Sequence, residues 1–360
     1  MLTLDKLTIR YNKFVKNLLL RFVYWNISFG AFIFISGNTQ LFFNYLDLLK
    51  VENIYIIIPT LSLGLAVLFC IIDLFFTDRL MRFFPIGLTM LLRLSIYFVS
   101  TFVLILIAIR YPIDISGKIN LVDLLKVLPK MDIHFIRFLV HFYTSCILLF
   151  FLREMHKKMG HSNLRRWIVG LLNKPREEKR IFMFIDMKAS TTIAERLEHK
   201  KFSHLVQDVF NDFSVVDNYK AEIYQYLGDG AIVSWSLKRG LHRHNCLQAF
   251  YAFTHVINKR KNYYTRKYNL VPQFKAGIHV GKIMVLQIGQ IRRDISYNGD
   301  TLNTTARIES MCNEYRQNLL ISGDLFSLIK ETKRFAFKNV GNIKLKGKRK
   351  AVDIYQVKQK

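Results

Sequence analysis

Apolar and polar positions follow different periods in the two halves of this chain. In the first half, apolar residues run almost unbroken through residues 18–37, 54–76, 86–109 and 134–152. Each run approaches the ~20 residues that a helix needs to cross a bilayer. The pattern predicts four membrane-spanning helices within residues 1–155, a connector at 156–179 and a separate domain at 180–360. In that last part short apolar runs alternate with amphipathic ones. Ile181-Phe182-Met183-Phe184-Ile185 reads as a buried strand, 181–187, that carries Asp186 at its end. Thr192 and Glu195 offer a capping box, and Phe202, Leu205, Val206, Val209, Phe210 and Phe213 then recur at helical spacing. Strands at 221–227 and 231–236 flank Leu227-Gly228-Asp229-Gly230, a hairpin signal. A helix at 244–268, strands at 273–280 and 282–288, a helix at 299–314, a strand at 318–322, a short helix at 323–331 and two tail strands within 335–357 complete the pattern. The order β-α-β-β-α-β predicts an α+β, ferredoxin-like sheet with additions.

Charge sharpens the division. The chain of 360 residues is 51% hydrophobic yet carries a net charge of +27, from 53 Lys+Arg against 26 Asp+Glu. An apolar membrane part joined to a basic soluble part accounts for both numbers. Lys6, Arg10, Lys13, Lys16 and Arg21 precede the first span; Arg79 and Arg82 lie between the second and third; Arg153, Lys157, Lys158, Arg165 and Arg166 follow the fourth. With four spans these regions share one side. Basic loops favour the cytoplasm, so both termini and the 180–360 domain are expected there, in a multi-pass protein of a cell's inner membrane. Arg110, Lys118, Lys126 and Lys130 on the other side reduce the bias without reversing it. The first apolar run starts late and no small-residue cleavage site follows it, which argues against a cleavable signal peptide. Trp167, Ile168, Leu171 and Leu172 form an amphipathic turn suited to a lipid surface. Asp73 and Arg93, near the inner ends of spans two and three, are candidates for an ion pair; snorkelling of both to the headgroups is the favoured reading, as it is for Arg137 and His141. The basic charge does not point to nucleic acid, because zinc spacing, RNA-binding aromatic motifs and a recognition helix are all missing. Lys259-Arg260-Lys261 beside Tyr263 and Tyr264 reads as a solvated helix face. Cys70, Cys146, Cys246 and Cys312 lie too far apart for a metal pair or a disulfide framework and read as buried thiols.

The candidate chemistry lies in two carboxylates. In a β-α-β-β-α-β sheet the first strand pairs antiparallel with the third, so the end of one meets the start of the other. Asp186 and Asp229 become neighbours. Adjacent carboxylates repel unless cations sit between them, and magnesium, a hard ion that takes few carboxylates together with phosphate oxygens, fits. Asn303 and Arg307 follow, one helical turn apart, suited to a polyphosphate. His279, at a strand end, reads as structural rather than as a base.

At these residues the chain resembles the class III nucleotidyl cyclases, the adenylate and guanylate cyclase catalytic domain. Phe184-Ile185-Asp186-Met187 with Ser190-Thr191-Thr192, Gln225-Tyr226-Leu227-Gly228-Asp229, Phe274-Lys275-Ala276-Gly277-Ile278-His279-Val280-Gly281, Gly299-Asp300-Thr301-Leu302-Asn303-Thr304-Thr305-Ala306-Arg307-Ile308-Glu309 and Leu345-Lys346-Gly347-Lys348 occur in family order. The resemblance implies attack of a ribose 3′-hydroxyl on the α-phosphate of a nucleoside triphosphate, with pyrophosphate leaving. It implies that Asp186 and Asp229 hold two Mg²⁺ or Mn²⁺ ions per site and that main-chain groups near Ile185 and Met187 contact phosphates. Arg307 would stabilise charge on the α-phosphate, Asn303 would orient the ribose, and Lys346 would bind the terminal phosphates. It also implies a homodimer with shared active sites, carboxylates from one subunit and Asn and Arg from the other. The base-selecting positions hold Gln225 and Ser296. Gln225 is neither the Lys of adenylate cyclases nor the Glu usual in guanylate cyclases, and its amide both donates and accepts. ATP is the leading substrate; GTP, a pyrimidine triphosphate and a non-catalytic nucleotide receptor stay open.

Overall fold

The computed structural model describes residues 2–36, 54–75, 85–114, 133–159, 163–172, 174–291, 294–329, 332, 334–344 and 351–360. They form two units, Met1–His156 and Lys157–Lys360.

Among the described residues the first unit holds four helices, α1 (Leu2–Ser36), α2 (Ile54–Phe75), α3 (Ile86–Asp114) and α4 (Ile133–Met159). Two stretches, Phe14–Ile35 and Ile136–Met155, are long and apolar enough to cross a membrane, whereas the described apolar stretches of α2 and α3, Ile58–Leu74 and Gly87–Thr101, are shorter. Two of the four expected spans therefore meet that test among the described residues. Trp25 is fully buried, with Phe29, Phe69 and Phe142 packed around its ring at centroid distances of 5.4–5.7 Å. The charges on these helices depart from the snorkelling expectation. Asp73 on α2 pairs with Arg21 on α1 and Arg153 on α4, lies 3.6 Å from Arg93 on α3, and accepts a hydrogen bond from Tyr97 at 3.1 Å. Arg93 is only 1% exposed. A charge kept from water needs opposite charge or hydrogen bonds, and one carboxylate here meets an arginine from each of the other three helices. His141 is likewise held inside, with Nε2 3.0 Å from the Ser28 hydroxyl and 3.0 Å from its carbonyl oxygen, while Arg137 is exposed. Arg79, Arg82, Lys118, Lys126 and Lys130 lie outside the described residues.

The second unit opens with α5 (Asn163–Ile168) and continues β1 (Arg176–Met187), α6 (Ser190–Phe213), β2 (Glu222–Leu227), β3 (Gly230–Ser236), α7 (Leu237–Leu241), α8 (Asn245–Lys259), α9 (Lys261–Tyr268), β4 (Phe274–Ile288), β5 (Asp294–Asn298), α10 (Asp300–Glu314), β6 (Leu319–Ser322), α11 (Gly323–Phe326), β7 (Phe335–Ile343) and β8 (Val352–Gln359). The sheet order is β2-β3-β1-β4-β6-β8-β7, with β5 on β4. Its first four strands are the expected ferredoxin-like set. Alternation on β1 divides the interior: Ile181, Met183, Ile185 and Met187 join a core with residues of α6, α8 and α9, while Phe182 faces Leu172, Ile232, Ile283, Val285 and Tyr297 on the other side.

Several boundaries differ from the sequence pattern. The strands expected at 273–280 and 282–288 are one strand, β4; the space a side chain at Gly281 would need is filled by Thr301, which donates to the Lys282 carbonyl at 2.7 Å. The helix expected at 244–268 breaks at Arg260, whose guanidinium pairs with Asp212 and lies 4.2 Å over Tyr263. Tyr264 also donates to Asp212, at 2.8 Å, so this end of the run is pinned to α6 and not simply solvated. Helix α6 starts at Ser190 on Ala189, without a side-chain cap, which places the Thr192–Glu195 box inside the helix. The short helix expected at 323–331 spans Gly323–Phe326, and β5 lies where no strand was expected.

Candidate active site

The two carboxylates meet where the topology predicts. β1 and β3 pair antiparallel with Ile185 opposite Ala231. Gly228, at φ +62°, turns the chain between β2 and β3 and brings Asp229 beside the end of β1. Gly230 permits the approach: a Cβ there would lie 2.8 Å from the Ile185 carbonyl oxygen and 3.1 Å from Asp186 Oδ1. Burial, and after it the neighbouring Asp229 charge, raise the Asp186 pKa against the pull of Lys275. Oδ2 of Asp229 is buried and has no hydrogen-bond partner among the described residues.

A lysine and a glutamate belong to the same group. Lys275 stands opposite Asp186 in the β1–β4 ladder, with Nζ 3.4 Å from Asp186 Oδ2 and 2.7 Å from Glu309 Oε1. Lys275 is 8% exposed and Glu309 13%. Burial, then the Glu309 and Asp186 carboxylates, act on the ammonium; burial alone would lower its pKa, and the carboxylates outweigh it and raise it. Glu309 is raised by burial despite Lys275. Glu309 reaches this point because α10 lies against Gly277, where a Cβ would fall 2.3 Å from the Glu309 amide nitrogen. Both residues stand in stretches quoted above without a role; a lysine inside an apolar strand was the available signal.

Asn303 is exposed and Arg307 half-buried on α10, whose buried side is formed by Thr301, Thr304, Thr305, Ile308, Met311 and Cys312. At ~100° per residue, Arg307 and Glu309 flank that side about 160° apart. One flank thus carries Glu309, which meets Lys275 beside Asp186, and the other carries Asn303 and Arg307. Ile185 and Met187 are buried on β1, with Lys188 N donating to Gln273 O at 2.8 Å and Ala189 at φ 53° before α6. Gln225 is exposed on β2, and Ser296 on β5 donates to Asn298 Oδ1 at 3.0 Å. Their neighbours Tyr224 and Tyr297 touch, with ring centroids 4.6 Å apart. His279 is buried, its Nδ1 2.8 Å from Ser322 Oγ, in keeping with a structural role. Lys346 lies outside the described residues.

Residues 172–359 match the model of the adenylate and guanylate cyclase catalytic domain. The chain belongs to this family. The chain is similar to adenylate cyclase 2 of Rhizobium meliloti (strain 1021), at 30% identity over 206 residues, 57% of this chain and 56% of that protein. Adenylate cyclase 1 of the same organism is 29% identical over 185 residues, 49% of this chain and 27% of that protein. The chain thus spans about half the length of the first relative and about a quarter of the second. Among solved structures, a bacterial light-regulated adenylyl cyclase superposes with a TM-score of 0.51 at 19% identity, covering 65% of this chain and 67% of that one, and so shares the fold.

The cyclase carboxylates suit a divalent metal. Among the described residues no group of three or more His, Cys, Asp or Glu forms a metal cage. Two carboxylates, one with a buried oxygen lacking a partner, leave positions for water and phosphate oxygens, the donor set that Mg²⁺ or Mn²⁺ takes at a nucleotide site.

Proposed function

We propose that this protein is a membrane-bound nucleotidyl cyclase that converts ATP to 3′,5′-cyclic AMP and pyrophosphate. What supports the reading is a divided site: Asp229 lies beside the end of β1 that carries Asp186, while by helical geometry Asn303 and Arg307 lie on the flank of α10 opposite Glu309. A second copy completes the set. Exposed apolar residues on the strands next to the carboxylate turn, Ile223, Tyr226 and Leu227, with Ile288 and Ile291 beyond, suit such a partner. Asp186 and Asp229 would hold two Mg²⁺ or Mn²⁺ ions, which supply Lewis-acid charge and lower the pKa of the attacking hydroxyl. The 3′-oxygen bonds to the α-phosphorus, the bond to pyrophosphate breaks, and the hydroxyl proton leaves to solvent. Asn303 of the second copy orients the ribose and its Arg307 neutralises charge gathering at the α-phosphate. Main-chain groups of Ile185 and Met187 face the phosphates, and Lys346 takes the terminal ones. The first unit anchors the protein by four spans in an inner membrane, with the cyclase domain cytoplasmic, and the turn at Trp167–Leu171 lies on lipid. Gln225 keeps a second reading alive, cyclisation of GTP or a pyrimidine triphosphate, because its amide matches more than one base edge.

The test offers ATP, GTP, CTP and UTP separately to the full chain in membranes with Mg²⁺ or Mn²⁺, and identifies products by mass. One cyclic nucleotide should dominate and vanish in Asp229→Ala. Absence of any cyclic product would reject the enzyme in favour of a nucleotide receptor.

A further inference from the structure

β2 and β5, which carry Gln225 and Ser296, are not neighbours in the sheet: β3, β1 and β4 lie between them. Four strand spacings would separate them by about 19 Å in a flat sheet. Yet the Tyr224 and Tyr297 rings stand 4.6 Å apart, and the Tyr297 amide donates to the Tyr224 hydroxyl at 3.4 Å. The sheet therefore curls until its two flanks meet over one face. Tyr224 reaches that face because it is the extra residue of a bulge: Ile223 pairs with Val233 and Gln225 with Ile232. A bulge re-aims a side chain in this way.

Arg180, on the central strand β1, sits under this contact. It is 1% exposed. Its Nη2 donates to Glu222 on β2 at 2.5 Å and to Ser234 on β3 at 2.9 Å, and its guanidinium lies 5.3 Å over the Tyr297 ring of β5. One planar, always-charged fork thus grips both flanks of the curl, which a lysine point charge cannot reproduce. Through Glu178, which pairs with both Arg180 (3.4 Å) and Arg166 (3.1 Å), the same network reaches α5.

We propose that Arg180 and the Tyr224–Tyr297 contact are positioning elements for base selection: they set the separation of Gln225 and Ser296, and thereby which nucleobase the site accepts. The inference rests on the reading of Gln225 and Ser296 as base readers. A shift of about 1 Å in a positioned group changes rates up to about a hundredfold, and here the shift bears on one base edge more than on the triphosphate.

The experiment measures kcat and KM for ATP and for GTP with the full chain in membranes, for Arg180→Lys, Tyr224→Phe and Gln225→Lys. Arg180→Lys keeps the charge and Tyr224→Phe keeps the ring, so neither empties the interior. The ratio of kcat/KM for ATP to that for GTP should move by about fivefold or more in both, mainly through KM. General destabilisation lowers both substrates together and leaves the ratio alone. A ratio within about twofold of the unsubstituted protein in both variants, while Gln225→Lys moves it, would overturn this inference alone. A ratio that Gln225→Lys also leaves unmoved would remove the base-reader assignment and this inference with it.

Discussion

Lys275→Met removes a cation 2.7 Å from Glu309 and 3.4 Å from Asp186 and puts an apolar chain of similar length in its place. Breaking a buried ion pair by losing one partner costs about 3–5 kcal/mol when the other charge stays ionised. Glu309 has an escape. Burial, with the Asp186 and Asp229 charges, already raises its pKa against the pull of Lys275, so without the lysine it takes up a proton more readily. Asp186 is about one-third exposed and contributes little, since water screens it. The expected net loss at neutral pH is about 2–3 kcal/mol, which for a unit of some 200 residues lowers Tm by about 5–10 °C. The sign with pH follows from the same group. In the variant the folded Glu309 pKa lies above its unfolded value of 4.5, so the folded variant binds protons more readily than the unfolded chain. Its deficit against the parent is full above the folded pKa and shrinks as pH falls toward the unfolded value. Calorimetric unfolding at about pH 7.5 and about pH 5 reads this directly. Adding Glu309→Leu should recover about 1 kcal/mol or more, because the unpaired acid goes with its partner. A Tm loss that is equal at both pH values, together with simple additivity in the double variant, would refute the buried-pair argument.

Asp186→Ala and Arg307→Ala should each abolish cyclic-nucleotide formation, and co-expression should restore about a quarter of the activity, because half of randomly formed dimers hold one intact site of two; no recovery would sink the shared site. Gly277→Ala pushes a methyl into the α10 backbone, 2.3 Å from the Glu309 amide, and should cost about 1–3 kcal/mol on calorimetric unfolding while cutting turnover. Asp186→Asn should raise the Tm of metal-free protein at neutral pH. Burial and Asp229 raise the folded Asp186 pKa above 3.8, so ionisation there costs stability, a cost present above the folded pKa and relieved as pH falls through it. The same substitution should weaken the stabilisation that Mn²⁺ confers, and a parent protein whose Tm ignores Mn²⁺ would contradict the metal assignment.

Much of the site was legible along the chain. The unbroken apolar run Ile181–Ile185, the Gly-Asp-Gly turn and the strand–helix order already place Asp186 beside Asp229, since buried-strand length, hairpin and crossover are local rules. The helical spacing of Asn303 and Arg307, and the family motifs around them, were equally plain. What had to wait was pairing through space. Lys275 meets Glu309 only because Gly277 lets α10 settle onto β4, a fact about the distance between two backbones. Asp73 gathers arginines from three other helices, with partners up to 80 residues away, and the favoured snorkelling reading saw only each charge's depth. β5 and the meeting of Tyr224 with Tyr297 depend on a bulge and on how far the sheet curls. Periodicity tells which face of an element is buried. Which residues meet across that face depends on register, curvature and close packing, and those are set by side chains far apart in the chain acting together.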